Sequence, residues 1–215
     1  MARKVHIADG AIVNRAWPER MFDVLSAATV FAWGVAGLYR NRIADGLTLP
    51  MVSLICLNVV VVFLFCGRSP VLKIGRWSDV LAVVPSVVSG VILLTRAPEF
   101  SAWPRMSAVL FGVAASGAMV SLLCLGKGFG IFPSVRRLSD RGPYRIIRHP
   151  VYAFEILMLA VVATTRIDLT NLTVLAVGVM ATVGRILLEE RLLAGAINYA
   201  AYRQQVRWRL LPFVW

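Results

Sequence analysis

Apolar residues along this 215-residue chain gather into long unbroken runs, and short segments between the runs hold nearly all of the charge. The runs do not alternate with polar positions, so half-buried strands with a period of two are not predicted. A helix of about 20 mostly apolar residues is long enough to cross a bilayer. Such runs occur at 21–39 (MFDVLSAATVFAWGVAGLY), 47–66 (LTLPMVSLICLNVVVVFLFC), 79–95 and 106–126. Two more, at 151–165 and 170–188, are less regular: the first is short and carries Glu155, and the second runs into GRILLEER. The pattern predicts an all-α, polytopic membrane helix bundle. Five to six helices cross, with a re-entrant hairpin if only five do, and a cytoplasmic C-terminal helical segment follows.

The charges between the runs sharpen this topology. With six crossings, 18 of the 23 Lys and Arg residues fall on one side, and Arg40, Arg42, Arg96, Arg105 and Arg166 fall on the other. Positive residues are retained on the cytoplasmic side. Both termini and the segment at 127–149 are therefore expected inside. Small residues in the fourth run (Gly112, Ala114, Ala115, Gly117, Ala118) predict close helix packing, and Pro85 predicts a kink in the third. Tryptophans such as Trp17, Trp77, Trp103 and Trp208 flank the runs, as interface anchors do.

Composition agrees. The chain is 59% hydrophobic and 16% charged, and its mean hydropathy is +0.75. Soluble domains are about half apolar. The net charge of +12 would suggest nucleic acid in a soluble protein, but here membrane topology accounts for it and no nucleic acid is expected. Cys56, Cys66 and Cys124 lie inside apolar runs without the spacing of metal ligands or of a disulfide framework, so no metal is expected. Residues 1–20 mix charges and lack a signal-like apolar stretch, so insertion is expected to rest on the first long run.

The densest polar cluster is GPYRIIRHPVY at 142–152. Gly142-Pro143 is a turn signal. Pro150 suits the first position of a helix, where its missing N–H costs nothing. His149 then falls near the N-cap, and the exposed amides with Arg148 make an anion site. Tyr144 and Tyr152 supply aromatic faces on either side. The plainer alternative is a helix start at the membrane surface with arginines facing lipid phosphates.

A second cluster ends the last run: Arg185, Glu189, Glu190 and Arg191. Acids at the end of an apolar helix face a polar interior or water. Arg185 and Glu189 are four apart and share one face, and Glu190 points about 100° away. The alternatives are a surface ion pair, or a carboxylate aimed at a cationic group or acting as a general base. Tyr199, Tyr202 and Arg203, then VRWRLLPFVW, read as a basic amphipathic helix and apolar tail on the membrane surface.

The order RHPVY, about thirty apolar residues, EERLL, then Y-x-x-Y and RLLPF resembles the integral membrane methyltransferases. That group includes isoprenylcysteine carboxyl methyltransferase and phospholipid N-methyltransferases. The resemblance covers about residues 126–213, so the chain divides into N-terminal transmembrane helices, 1–125, and a catalytic region, 126–215. It implies S-adenosylmethionine as cofactor, held near Tyr144, Arg148, His149, Pro150, Tyr152, Glu189, Tyr199 and Tyr202. It implies Glu190, Glu189 and Arg148 as the catalytic set, and a lipophilic or lipidated substrate arriving sideways from the bilayer. Phe154 stands where many relatives have glycine, and AGAIN precedes Tyr199 where a Gly-Glu/Asp turn is commoner; both departures are expected to alter the pocket walls. Membrane sterol and steroid reductases, which use NADPH, share the RHP-x-Y block, and Glu155 suits them. A non-enzymatic helical protein binding anionic lipid is the third reading.

Overall fold

The structure, a computed structural model, describes residues 46–66, 73–74, 84–126, 134–135, 139–195 and 199–215. The run at 21–39 lies outside the described residues. Among these residues there are six α-helices: α1 (Leu49–Cys66), α2 (Val84–Arg96), α3 (Arg105–Leu125), α4 (Pro150–Thr164), α5 (Leu169–Leu193) and α6 (Tyr199–Gln205). A two-residue antiparallel pair, β1 (Lys73–Ile74) with β2 (Ser134–Val135), joins two of the connecting segments. The fold is all-helical, as the apolar runs predicted.

Two helices, α3 with 21 residues and α5 with 25, are long and apolar enough to cross a membrane by length and composition. At 1.5 Å per residue they reach about 32 and 38 Å. By the same rise α4 reaches only about 23 Å, short of a hydrocarbon core of about 30 Å.

The faces of α3 show why it stands where it does. Phe111, Gly112, Ala114, Ala115, Ala118 and Leu122 are buried, whereas Met106, Val109, Leu110, Val113, Val120 and Leu123 are exposed. The helix is apolar on most of its surface: Gly112, Ala114, Ala115 and Ala118 turn inward beside Phe111 and Leu122, and large apolar side chains stand outward with Ser116 among them. Water does not favour that arrangement, and lipid does. The small residues let neighbours close in. A Cβ on Gly112 would lie 3.2 Å from Leu49 of α1, and one on Gly117 would clash with the Phe154 ring of α4. Likewise a Cβ on Gly178 of α5 would meet Ser89 of α2 at 2.9 Å.

The main core joins Met51, Leu93, Phe100, Trp103, Phe111 and Leu159 from four helices and the α2–α3 loop. Trp103 is thus a core residue and not an interface anchor. Its ring meets Phe100 and Phe111 edge to face, and its Nε1 donates to the Pro98 carbonyl at 3.1 Å. Pro85, where a kink was expected, stands at the edge of the described part of α2, and the residues before Val84 lie outside the described residues.

Candidate functional site

One end of the bundle gathers three stretches far apart in sequence. Gly142 opens a 3₁₀ turn over Gly142–Arg145 with φ +53°, a conformation glycine tolerates. His149 is the N-cap residue of α4 and Pro150 its first residue. The amides just before the helix do not stay open. Arg148 N donates to Trp208 O at 2.8 Å and His149 N to Arg209 O at 2.9 Å. Ile147 and Trp208 form a parallel bridge. The C-terminal tail is thereby pinned along the segment that leads into α4.

Glu190 closes this arrangement from the side. Its Oε1 accepts from Arg148 Nε at 2.8 Å and its Oε2 from Arg209 Nε at 3.0 Å. His149 Nε2 lies 3.4 Å from the same Oε1. Arg148, buried, also donates through Nη1 to the carbonyls of Val206 at 2.9 Å and Arg207 at 2.8 Å. Burial makes charge pairing obligatory here, since an unpaired guanidinium out of water is costly. Glu190 and Arg148 therefore hold the tail in place, and both carboxylate oxygens are engaged.

Glu189 faces another way, as the 100° step between neighbours requires. It accepts the Tyr152 hydroxyl, and its carboxylate lies 3.8 Å from Arg185 Nε and 3.9 Å from His149 Nδ1. The Arg185 guanidinium sits over the Tyr152 ring at 4.8 Å. His149 stacks on Tyr152 with centroids 5.7 Å apart and planes 19° from parallel. Glu155 is within electrostatic reach of both Arg185 and Glu189. Three guanidinium groups (Arg148, Arg185, Arg209) thus face three carboxylates (Glu155, Glu189, Glu190), and the cluster is near charge balance.

The tyrosines cap it. Tyr202 donates to the Tyr144 carbonyl at 2.9 Å, and its ring lies 6.3 Å from that of Tyr199. Burial raises the phenols of Tyr144 and Tyr202 well above the ordinary range. Burial also pushes Tyr199 up to about 12, with the Glu190 carboxylate adding to the shift and Arg148 opposing it. The Tyr199 residue is 3% exposed, and its hydroxyl has no hydrogen-bond partner among the described residues.

Tyr144, Arg148, His149, Pro150, Tyr152, Arg185, Glu189, Glu190, Tyr199 and Tyr202 fall in or beside this cluster, and residues 196–198 of AGAIN lie outside the described residues. The C-terminal tail differs from expectation. The segment after Tyr199 is helical only to Gln205; the tail then turns back, with Arg209 N donating to Trp215 O at 2.8 Å and Arg209 over the Trp215 ring at 4.9 Å. It docks on the bundle instead of continuing as a surface helix, because its carbonyls serve Arg148 and His149. Phe154 packs on Gly117 of α3, whose missing Cβ leaves room for the ring. Arg209 and Glu155 were missed as site residues. Arg209 reads as one of several interfacial arginines, and only the fold pairs it with Glu190.

No protein-family model matches the chain, and no curated protein matches it.

Proposed function

We propose that this chain is an integral membrane methyltransferase that uses S-adenosylmethionine to methylate a lipophilic acceptor of the prenylcysteine carboxylate or phospholipid amine class. The observation that supports it most is convergence. The three blocks that carry the resemblance lie up to about sixty residues apart, yet they meet around Glu190 at one end of the bundle. In this reading the protein is multi-pass, with five to six crossings, and both termini and the site face the cytoplasm. Residues 1–125 supply scaffold helices and 126–215 the chemistry.

The residues suit that cofactor in kind. The Tyr199 hydroxyl is buried near the Glu190 carboxylate with no hydrogen-bond partner among the described residues, a burial that costs about 1–3 kcal/mol unless a partner meets it. The first-turn amides of Val151 and Tyr152 have no acceptor within their own helix and can hold a carboxylate. The stacked pair of His149 and Tyr152 offers an aromatic face. When bound, the cofactor supplies an electrophilic methyl on a sulfonium. The chain's own part is alignment and exclusion of water, with buried Tyr152, Ile186 and Leu210 walling the polar groups. For an amine acceptor, Glu189 is the carboxylate to take the proton, since both oxygens of Glu190 are engaged by arginines. A carboxylate acceptor needs no base.

Calorimetry on detergent-purified protein tests this, with S-adenosylmethionine, S-adenosylhomocysteine and NADPH titrated in the presence of a prenylcysteine analogue. The first two should bind and NADPH should not. Tyr199→Phe should melt no lower than the parent, because it deletes an unpartnered hydroxyl, yet bind the cofactor more weakly. Cys56→Ala, on an exposed face, should change nothing. Binding of NADPH alone, or silence from folded protein, would overturn the proposal.

A further inference from the structure

The far end of the bundle holds a second polar site that the proposed chemistry does not use. Arg96 ends α2, and Asp168 is the N-cap residue of α5, its side chain accepting from Asn171 N. Twenty-two residues of helix separate Asp168 from Glu190, about 33 Å at 1.5 Å per residue. With α5 spanning a bilayer, as in the proposed reading, that spacing puts the two sites on opposite faces.

A recess of about 460 Å³ opens here, lined by Thr95, Arg96, Ala97, Pro98, Thr165 and Arg166. Its cationic side is built rather than incidental. Arg96 Nε donates to the Oδ1 of fully buried Asn171 at 2.7 Å, and its Nη2 meets Asp168 Oδ2 at 3.0 Å. Asn171 in turn donates to the Arg166 carbonyl at 2.7 Å, fixing the turn. Arg166 Nε lies 3.1 Å from that same Asp168 oxygen. Two guanidinium groups therefore share one carboxylate, and a unit of positive charge is left over. The Arg166 side chain is 57% exposed, and its Nη atoms have no partner among the described residues.

The surroundings indicate where a matching anion would come from. Ile167 and Leu169, on either side of Asp168, are 74% and 82% exposed. In the membrane reading, such apolar side chains beside an arginine suit the boundary between acyl chains and headgroups. We infer that this recess binds the phosphate headgroup of an anionic phospholipid, with Arg166 and Arg96 facing the phosphate and Ile167 and Leu169 against the acyl chains. The inference rests on the membrane part of the proposed reading and not on its methyl chemistry.

Native mass spectrometry of the detergent-purified full chain tests it, with phosphatidylglycerol, phosphatidylcholine and inorganic phosphate as probes. Phosphatidylglycerol should be retained in preference to phosphatidylcholine. Arg166→Gln should weaken that retention about fivefold, the loss of one cation near a lipid surface, and Arg166→Lys should largely restore it. Asp168→Asn keeps a good N-cap residue while removing the competing carboxylate, so it should strengthen retention. Equal retention of both lipids, or indifference to Arg166→Gln, would overturn the inference. Displacement of phosphatidylglycerol by millimolar inorganic phosphate would show a simple anion site and overturn the lipid assignment. A protein that fails to transfer methyl groups but loses phosphatidylglycerol with Arg166→Gln would leave this site standing.

Discussion

Replacing Glu190 with glutamine should detach the C-terminal tail. The carboxylate holds Arg148 at 2.8 Å and Arg209 at 3.0 Å, and the Arg148 side chain is only 4% exposed. Removing one partner of a buried ion pair costs about 3–5 kcal/mol, because the other charge stays buried without compensation. Glutamine keeps one acceptor oxygen, which can serve one arginine but not both. Arg209, at 23% side-chain exposure, is partly compensated by water. The cost should therefore lie near the lower bound, about 3 kcal/mol. For a chain of this size that corresponds to a melting point lower by about 6–12 °C. Melting in detergent measures it, and trypsin reports on the tail, since Arg203, Arg207 and Arg209 should become rapid cleavage sites. Adding Arg148→Gln to Glu190→Gln should then cost much less than the two separate effects together. A melting point within about 1 °C of the parent with the tail still protected would refute this account. So would additivity of the two substitutions to within about 0.5 kcal/mol.

Glu189→Gln should also lower the melting point, because the buried Arg185 loses a charge partner at 3.8 Å, but by less than Glu190→Gln, since the Tyr152 hydroxyl can still donate to the amide oxygen and Glu155 stays within reach of Arg185. Equal losses at positions 189 and 190 would contradict their separate partners. Alkaline pH should loosen the tail: Tyr199 keeps its proton to about 12 in the folded state against 10.0 ordinarily, so stability falls as pH rises between those values. A pH series of melting points should show that fall, and Tyr199→Phe should flatten part of it while the raised phenols of Tyr144 and Tyr202 keep the rest. Gly117→Ala should cost about 1–3 kcal/mol in melting measurements by overpacking the Phe154 ring, and Phe154→Leu in the same chain should recover much of it.

Apolar periodicity and punctuation were enough to place most elements. The described helices fall within a few residues of the runs at 47–66, 79–95, 106–126, 151–165 and 170–188, and Gly142-Pro143 and His149-Pro150 mark a turn and a helix start as their local chemistry requires. These are short-range effects: helical spacing, a missing N–H and a left-handed glycine act within a few residues. The neighbourhood of the candidate site was legible for the same reason, because Arg185, Glu189 and Glu190 sit on known faces of one helix.

Partner choice was not legible. Whether Glu190 is a free base or a clamp depends on Arg148 and Arg209, which lie 42 and 19 residues away and are brought to it by packing. Trp103 flanks an apolar run and so resembles an anchor, yet the α2–α3 loop folds it into the core. Phe154 sits on a helix beside the site, and only the fold shows that Gly117 of the neighbouring helix receives its ring. By itself the sequence determined which segments are apolar helices, where they start and which residues carry charge. Only the tertiary structure decided which charges neutralise one another, because burial forces pairing but does not say with whom.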